Sequence, residues 1–290
     1  MAGLVLVNPS SGPDDASLDD LRAAFPGAEV RTCEPGDLAD EVRSAVEAGI
    51  DFVGVAGGDG TIRCAAAVLV GTGVPLLPVP EGTRNHFAHD VGIHGLEDAA
   101  AAAAAGNTKR VDTGLVNGEL FINNSSIGLY PRMVRVREAH EHRLPKRFAQ
   151  LVAAWHQIRR GVPLVAEVDG KRVHAWVVFV GNGSYGEGVF DLTTRESLDG
   201  GELDLCIVRA DRPLARLRTV AAALTGRLTQ SPLVERSHIR ACTVTLDRPT
   251  ADVALDGEIE RLDAPLRYES SPASLVVLAP DGATSAASAP

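Results

Sequence analysis

An apolar run from Phe52 to Ala56 empties directly into Gly57-Gly58-Asp59-Gly60-Thr61. A continuous apolar run of this length reads as a strand buried on both faces, which is the condition of a parallel sheet covered by helices. Glycines without a Cβ let the chain turn sharply and bring backbone N–H groups against a polyphosphate. Apolar residues resume at Ile62, Ala65, Ala66, Val68 and Leu69, so a helix is predicted to begin at the turn with its positive end toward an anion. Asp59 stands where phosphates would repel it. Such a carboxylate makes chemical sense if it holds a metal ion or takes a proton from an attacking group. The alternative is an ordinary strand-to-helix connection with Asp59 as its N-cap.

Two neighbouring segments have the same character. Gly3-Leu4-Val5-Leu6-Val7 reads as a first strand and runs into Asn8-Pro9-Ser10-Ser11-Gly12. Val74 to Pro80 reads as another short strand and delivers Glu81-Gly82-Thr83-Arg84-Asn85-His86-Phe87-Ala88. Three strands that each end in small, hydrogen-bonding residues would gather those loops at the carboxyl edge of one sheet, where open α/β sheets bind ligands.

These three loops and Leu255-Asp256-Gly257-Glu258 stand in the order and spacing of the diacylglycerol kinase catalytic domain family, which the chain resembles from Leu4 to about Pro280. That family includes bacterial lipid kinases and sphingosine kinases and is more distantly related to NAD kinases. Asp112-Thr113-Gly114, Phe121-Ile122-Asn123-Asn124 with Gly128, Val180 to Gly188 and Leu198 to Leu205 also look like segments of it. The resemblance implies ATP- and magnesium-dependent phosphorylation of a lipid hydroxyl, with diacylglycerol or a related lipid alcohol as acceptor. A soluble acceptor such as NAD, or a catalytically silent nucleotide-binding protein, are the alternatives.

Carried onto this sequence, the resemblance assigns nucleotide contacts to Asn8, Pro9, Ser10, Ser11, Gly12, Thr32, Gly57, Gly58, Asp59, Gly60, Thr61, Gly82, Thr83 and Asn85. It makes Asp59 part of the nucleotide and magnesium network, Asp204 a ligand near a structural magnesium, and Glu258 the general base. An alcohol has a high pKa, so a carboxylate within reach must take its proton as the bond to phosphorus forms. Read without the resemblance, Glu258 is an exposed hairpin residue, since Asp256-Gly257 is a turn signal between Val253-Ala254-Leu255 and Ile259. The chain departs from the family pattern at His86, where many members have Asp, at Arg63-Cys64, where many have Asn-Glu, and at Glu81, a position often apolar or small.

Length and composition fit two units. With 290 residues of which 45% are hydrophobic, the chain can bury two moderate cores. Helical patterns over Ser17 to Phe25 and Leu38 to Ala48 alternate with the early strands, as in a sheet layered between helices. From Arg110 the pattern changes to short strands: Arg110 to Val116, Glu119 to Ser125, Val162 to Val168, Arg172 to Val180, Leu203 to Val208, Ala241 to Leu246, Ala251 to Leu255 and Ser274 to Leu278. The fold class is therefore α/β, a three-layer parallel-sheet nucleotide domain over 1–108 followed by a β-rich, sandwich-like acceptor domain over 109–280. The polyalanine run Ala99 to Ala105, stopped by Gly106, marks the boundary. Residues 281–290 lack any large apolar side chain and read as a disordered tail.

A net charge of −10 argues against a nucleic-acid partner, whose phosphate backbone demands clustered cations. One stretch reverses the trend: between Arg132 and Arg160 eight cations face Glu138 and Glu141, with Phe148, Leu151, Val152, Trp155 and Ile158 at helical spacing. This is either an element that touches anionic membrane surfaces transiently or a helix packed on the second domain with a solvated polar side. A homodimer is left open. No segment approaches the ~20 apolar residues of a membrane span, and the start lacks the basic residues of a signal peptide, so a cytoplasmic location, peripheral at the membrane, is expected. Cys33, Cys64, Cys206 and Cys242 are widely spaced and read as free packing thiols. His86, His89 and Asp90, with His94 beyond, would share a helix face, but no second cluster completes a zinc shell.

Overall fold

The computed structural model describes residues 2–9, 17–128, 162–185, 195–211 and 233–280. Ser10, Ser11 and Gly12, the basic stretch 132–160 and the 281–290 tail lie outside the described residues. The chain forms two compact units, one of Met1–Thr113, Ser197–Gly201 and Ser271–Pro290, the other of Gly114–Glu196 and Glu202–Ser270.

In the first unit β1 (Gly3–Val7), α1 (Leu18–Ala24), β2 (Ala28–Thr32), α2 (Leu38–Glu47), β3 (Phe52–Gly57), α3 (Asp59–Leu69), β4 (Leu76–Pro80), α4 (His86–Asp90) and α5 (Leu96–Ala105) follow one another. The parallel strand order is β2-β1-β3-β4. The chain steps one way from β1 to β2 and the other way from β2 to β3, so right-handed crossovers put α1 and α2 on opposite faces. Accordingly α2 packs beside α3, and α1 beside α5. Every residue of β3 is buried, as expected for a strand covered on both sides. Leu38, Val42 and Ala45 of α2 and Ile62, Ala65, Ala66 and Leu69 of α3 form the inward stripes. Ser17 and Asp20 close a capping box at the start of α1. Gly106 takes the left-handed C-cap of α5 at φ 68°, a conformation that costs glycine little.

The later elements are β5 (Thr108–Val116), β6 (Glu119–Phe121), β7 (Asn124–Gly128), β8 (Leu164–Val168), β9 (Lys171–Asn182), β10 (Ser184–Tyr185), β11 (Arg195–Ser197), β12 (Leu203–Arg209), β13 (Val234–Ile239), β14 (Ala241–Leu246), β15 (Thr250–Leu255), β16 (Glu258–Asp263) and β17 (Leu266–Leu278). In the second unit β12 pairs antiparallel with β9 and β13, and β9 also pairs with β7 and β8. Its core alternates along each strand: Leu203, Leu205 and Ile207 face one cluster with Val253, Leu255 and Tyr268. Cys206 and Val208 face a second cluster with Trp176, Phe179 and Tyr185. The returning segments join the first unit through buried Asp112, whose carboxylate accepts the N–H of Gly201 at 2.6 Å and of Ala273 at 2.7 Å.

Four strands differ from the sequence expectation. Glu119 to Ser125 is broken at Ile122 and Asn123, because their N–H groups are drawn to the Asp256 side chain rather than to a neighbouring strand. The last strand begins at Leu266 rather than Ser274. β13 and β16, with partly exposed charged sequences, carry too weak an apolar alternation to be read in advance.

Candidate active site

The carboxyl ends of β1, β2, β3 and β4 lie side by side in the first unit: Val7 is opposite Thr32 on one side and Ala56 on the other, and Gly57 is opposite Pro80. The strand order reverses between β1 and β3, and such a switch point opens a ligand crevice. Asn8 bridges it. Its backbone N–H donates to Ala56 O at 3.0 Å and its side-chain amide to Thr61 Oγ1 at 3.0 Å. Thr32 is exposed at the end of β2 and Thr83 is exposed on the loop after β4; Pro9 is exposed beside Asn8.

Gly58, in extended conformation, is the N-cap of α3, and Asp59 is the first residue of that helix. The N-cap alternative for Asp59 is therefore replaced by a different arrangement. Its Oδ2 accepts the N–H of His86 at 3.2 Å and its Oδ1 the N–H of Phe87 at 3.1 Å, so it caps α4 on the neighbouring loop. Asn85, buried in the left-handed region at φ 54°, closes that loop on itself: Gly82 N–H donates to its Oδ1 at 2.9 Å, and its Nδ2 donates to Gly82 O at 2.7 Å. The two glycine-bearing turns touch backbone to backbone. A Cβ on Gly82 would lie 2.5 Å from Gly58 Cα, and one on Gly57 would lie 2.8 Å from Thr61 Cβ. The first backbone N–H groups of α3 have no carbonyl one turn earlier in the helix and are suited to phosphate oxygens. Donor set and glycine cradle together fit a nucleotide polyphosphate.

The second unit carries Glu258 and Asp204. Asp256 and Gly257 have φ 49° and 96°, the two-residue turn expected of Asp-Gly, and Glu258 is exposed at the first position of β16. Sequence reasoning did not assign Asp256, yet its carboxylate accepts N–H bonds from Ile122, Asn123 and Asn124 at 2.9, 2.8 and 2.9 Å. Asn182, Tyr185 and Arg195 grip the same loop by its carbonyls; the Val180 to Gly188 similarity pointed to Asn182 and Tyr185, and no sequence signal pointed to Arg195.

Asp204 is 2% exposed on β12. Its Oδ1 accepts from Arg236 Nε at 2.8 Å, its Oδ2 pairs with the same guanidinium, and Tyr185 N–H approaches Oδ2 at 3.4 Å. A carboxylate gripped by an arginine fork already has its counter-charge, so this donor set does not fit the structural magnesium expected at Asp204. Among the described residues no group of three or more His, Cys, Asp and Glu could hold a metal ion. A magnesium that travels with nucleotide phosphates needs only one or two protein carboxylates and keeps several waters; Asp59, at the α3 start, suits that.

Residues 2–116 match the diacylglycerol kinase catalytic domain family, and residues 131–279 match the YegS C-terminal NAD kinase beta sandwich-like domain. The chain belongs to the diacylglycerol kinase-like lipid kinases. It is 33% identical to a Pseudomonas aeruginosa protein named "Probable lipid kinase YegS-like", over 87% of this chain and 84% of that one. It is 30% identical to the diacylglycerol kinase of Mycobacterium tuberculosis, over 88% and 86%. It spans 63% of the length of an uncharacterized Synechocystis protein to which it is 27% identical over 90% of its own length. The crystal structure of a diacylglycerol kinase from Bacillus anthracis has a TM-score of 0.69 at 19% identity, covering 97% of this chain and 98% of that one; this likeness is one of fold. Likeness to these kinases supports phosphotransferase activity. Among the described residues no helix is long and apolar enough to cross a membrane.

Proposed function

We propose that this protein transfers the γ-phosphoryl group of ATP to the hydroxyl of diacylglycerol or a related lipid alcohol. The observation that carries the proposal is the Asn8 to Thr61 hydrogen bond at 3.0 Å, which ties two phosphate-type loops across the switch point of the first unit's sheet. In this reading the polyphosphate lies against the Gly57 to Thr61 turn and the α3 N-terminus, with Asn8, Thr32, Gly82, Thr83 and Asn85 around it and Pro9 to Gly12 completing the first loop. Asp59 keeps α4 and its loop in place and would help hold the magnesium that accompanies the nucleotide. That metal, when bound, offsets charge building on the phosphate oxygens.

Glu258 takes the acceptor proton as the alcohol oxygen bonds to phosphorus and the bond to the β-phosphate bridge oxygen breaks, leaving ADP and the lipid phosphate. The charge of the 132–160 stretch, eight cations to two acids, would favour an anionic bilayer from which a lipid acceptor must come. The test is Mg²⁺-dependent transfer of labelled γ-phosphate to diacylglycerol, monoacylglycerol, a sphingoid base and NAD, with Glu258→Gln and Asp59→Asn beside the parent. A lipid phosphate that disappears in Glu258→Gln is expected. Labelled NAD product would assign a soluble acceptor, and ATP binding without transfer to any of the four would favour a silent binding protein.

A further inference from the structure

Asp256 stands two residues before Glu258 in the same hairpin. Its carboxylate takes three backbone N–H groups, Ile122 on Oδ2 and Asn123 and Asn124 on Oδ1, while its own N–H donates to Asn124 O at 2.9 Å. The turn alone does not call for this. Glycine or asparagine would serve the positive φ equally well at the first corner. A carboxylate that accepts three N–H bonds is a charge-assisted clamp on one loop.

The carbonyl side of that loop is held as tightly. Ile122 O accepts from Asn182 Nδ2 and from Arg195 Nη1, each at 2.9 Å. Asn123 O accepts from Tyr185 Oη at 2.7 Å and from the Asn182 N–H at 2.8 Å, and Arg195 lies 5.3 Å from the Tyr185 ring centroid. Asn123 and Asn182 are buried at 2% and 0%, so this is a fixed platform within the second unit. Glu258, by contrast, is an exposed side chain beside a two-residue turn, a place where the backbone would otherwise wander.

We infer that Asp256 is a positioning residue for Glu258: by clamping the 122–124 loop it fixes the hairpin from which the proton-accepting carboxylate projects. This rests on the reading of Glu258 as the base. A misplacement of about 1 Å at a reacting group costs on the order of 10²-fold in rate, and the clamp prevents it.

The experiment compares Asp256→Gly, Asp256→Asn and Glu258→Gln with the parent in the transfer assay, with amide exchange followed on the same proteins. Asp256→Gly keeps the turn, since glycine adopts positive φ at little cost, but deletes the clamp. It is expected to lower kcat on the order of 10²-fold with KM for ATP unchanged, and to speed exchange at Ile122, Asn123 and Asn124. Asp256→Asn, which keeps one acceptor oxygen and the turn, is expected to fall between it and the parent and serves alone if the glycine variant does not fold. Unchanged kcat in Asp256→Gly beside an inactive Glu258→Gln overturns the positioning role and leaves the base reading standing. Full turnover in Glu258→Gln overturns the base reading and the positioning role with it. Unprotected amides at 122–124 in the parent overturn the clamp whatever the activity.

Discussion

Asp59 accepts the backbone N–H of Phe87, twenty-eight residues ahead in the chain, at 3.1 Å. One carboxylate thus joins the start of α3 to the start of α4 and sets the spacing of two loops around the crevice. In Asp59→Asn the amide can accept with one oxygen only, and its NH₂ group turns toward an N–H that has lost its partner. The expected cost is about 1–2 kcal/mol of stability, read as a lower denaturation midpoint, together with loss of phosphoryl transfer. A variant with the parent's midpoint and turnover would contradict this.

Gly82 approaches Gly58 too closely for any side chain: a Cβ there would meet Gly58 Cα at 2.5 Å and Asn85 Oδ1 at 2.7 Å. Gly82→Ala must push the two turns apart, since the obstruction is backbone. We expect KM for ATP to rise about tenfold or more, equivalent to at least ~1.4 kcal/mol of lost binding, with circular dichroism unchanged. An unaltered KM would mean that the contact between the turns has no part in nucleotide binding.

Arg236 supplies the counter-charge of a buried Asp204. Arg236→Met leaves that carboxylate uncompensated, and removal of one partner of a buried pair costs about 3 kcal/mol or more. The double variant Arg236→Met with Asp204→Asn is expected to be more stable than Arg236→Met alone, and a double-mutant cycle in urea measures the coupling. Equal midpoints for the single and double variants would argue against the pair as a stabilising unit.

Burial raises the thiols of Cys206 and Cys242 from 9.0 to about 12 and also raises the Tyr268 hydroxyl. Below pH 9 both thiols are protonated in folded and unfolded chains, and their contribution to stability is complete. Above it the unfolded chain releases protons that the folded chain retains up to about 12, so folding weakens as pH rises through that window, by at most ~1.4 kcal/mol per thiol per unit. Denaturation midpoints should fall as pH rises from 9 to 10.5, and Cys206→Ala with Cys242→Ala should flatten the decline. A midpoint independent of pH over that range would refute it.

The fold of the first unit was legible because its signals are local. An uninterrupted apolar run into Gly57, a 3.6-residue stripe through Leu69 and a glycine stop at Gly106 each depend on a few neighbouring residues, and each became the element predicted. Strand pairing in the second unit was less legible: β13 and β16 are held by ladders to β12 and β15, and a ladder recruits residues whatever their own apolar pattern.

Within the candidate site, residue types and loop positions could be read from the chain, because glycines and small polar residues after a strand announce a close approach of backbone to ligand. What each side chain grips could not. Asp59 holds α4, Asp204 faces Arg236 and Asp256 holds 122–124; the partners are separated by 28, 32 and 133 residues. A carboxylate's chemical type is fixed by sequence, but its partner is chosen by whichever donors folding brings within about 3 Å, and only the tertiary structure decides that.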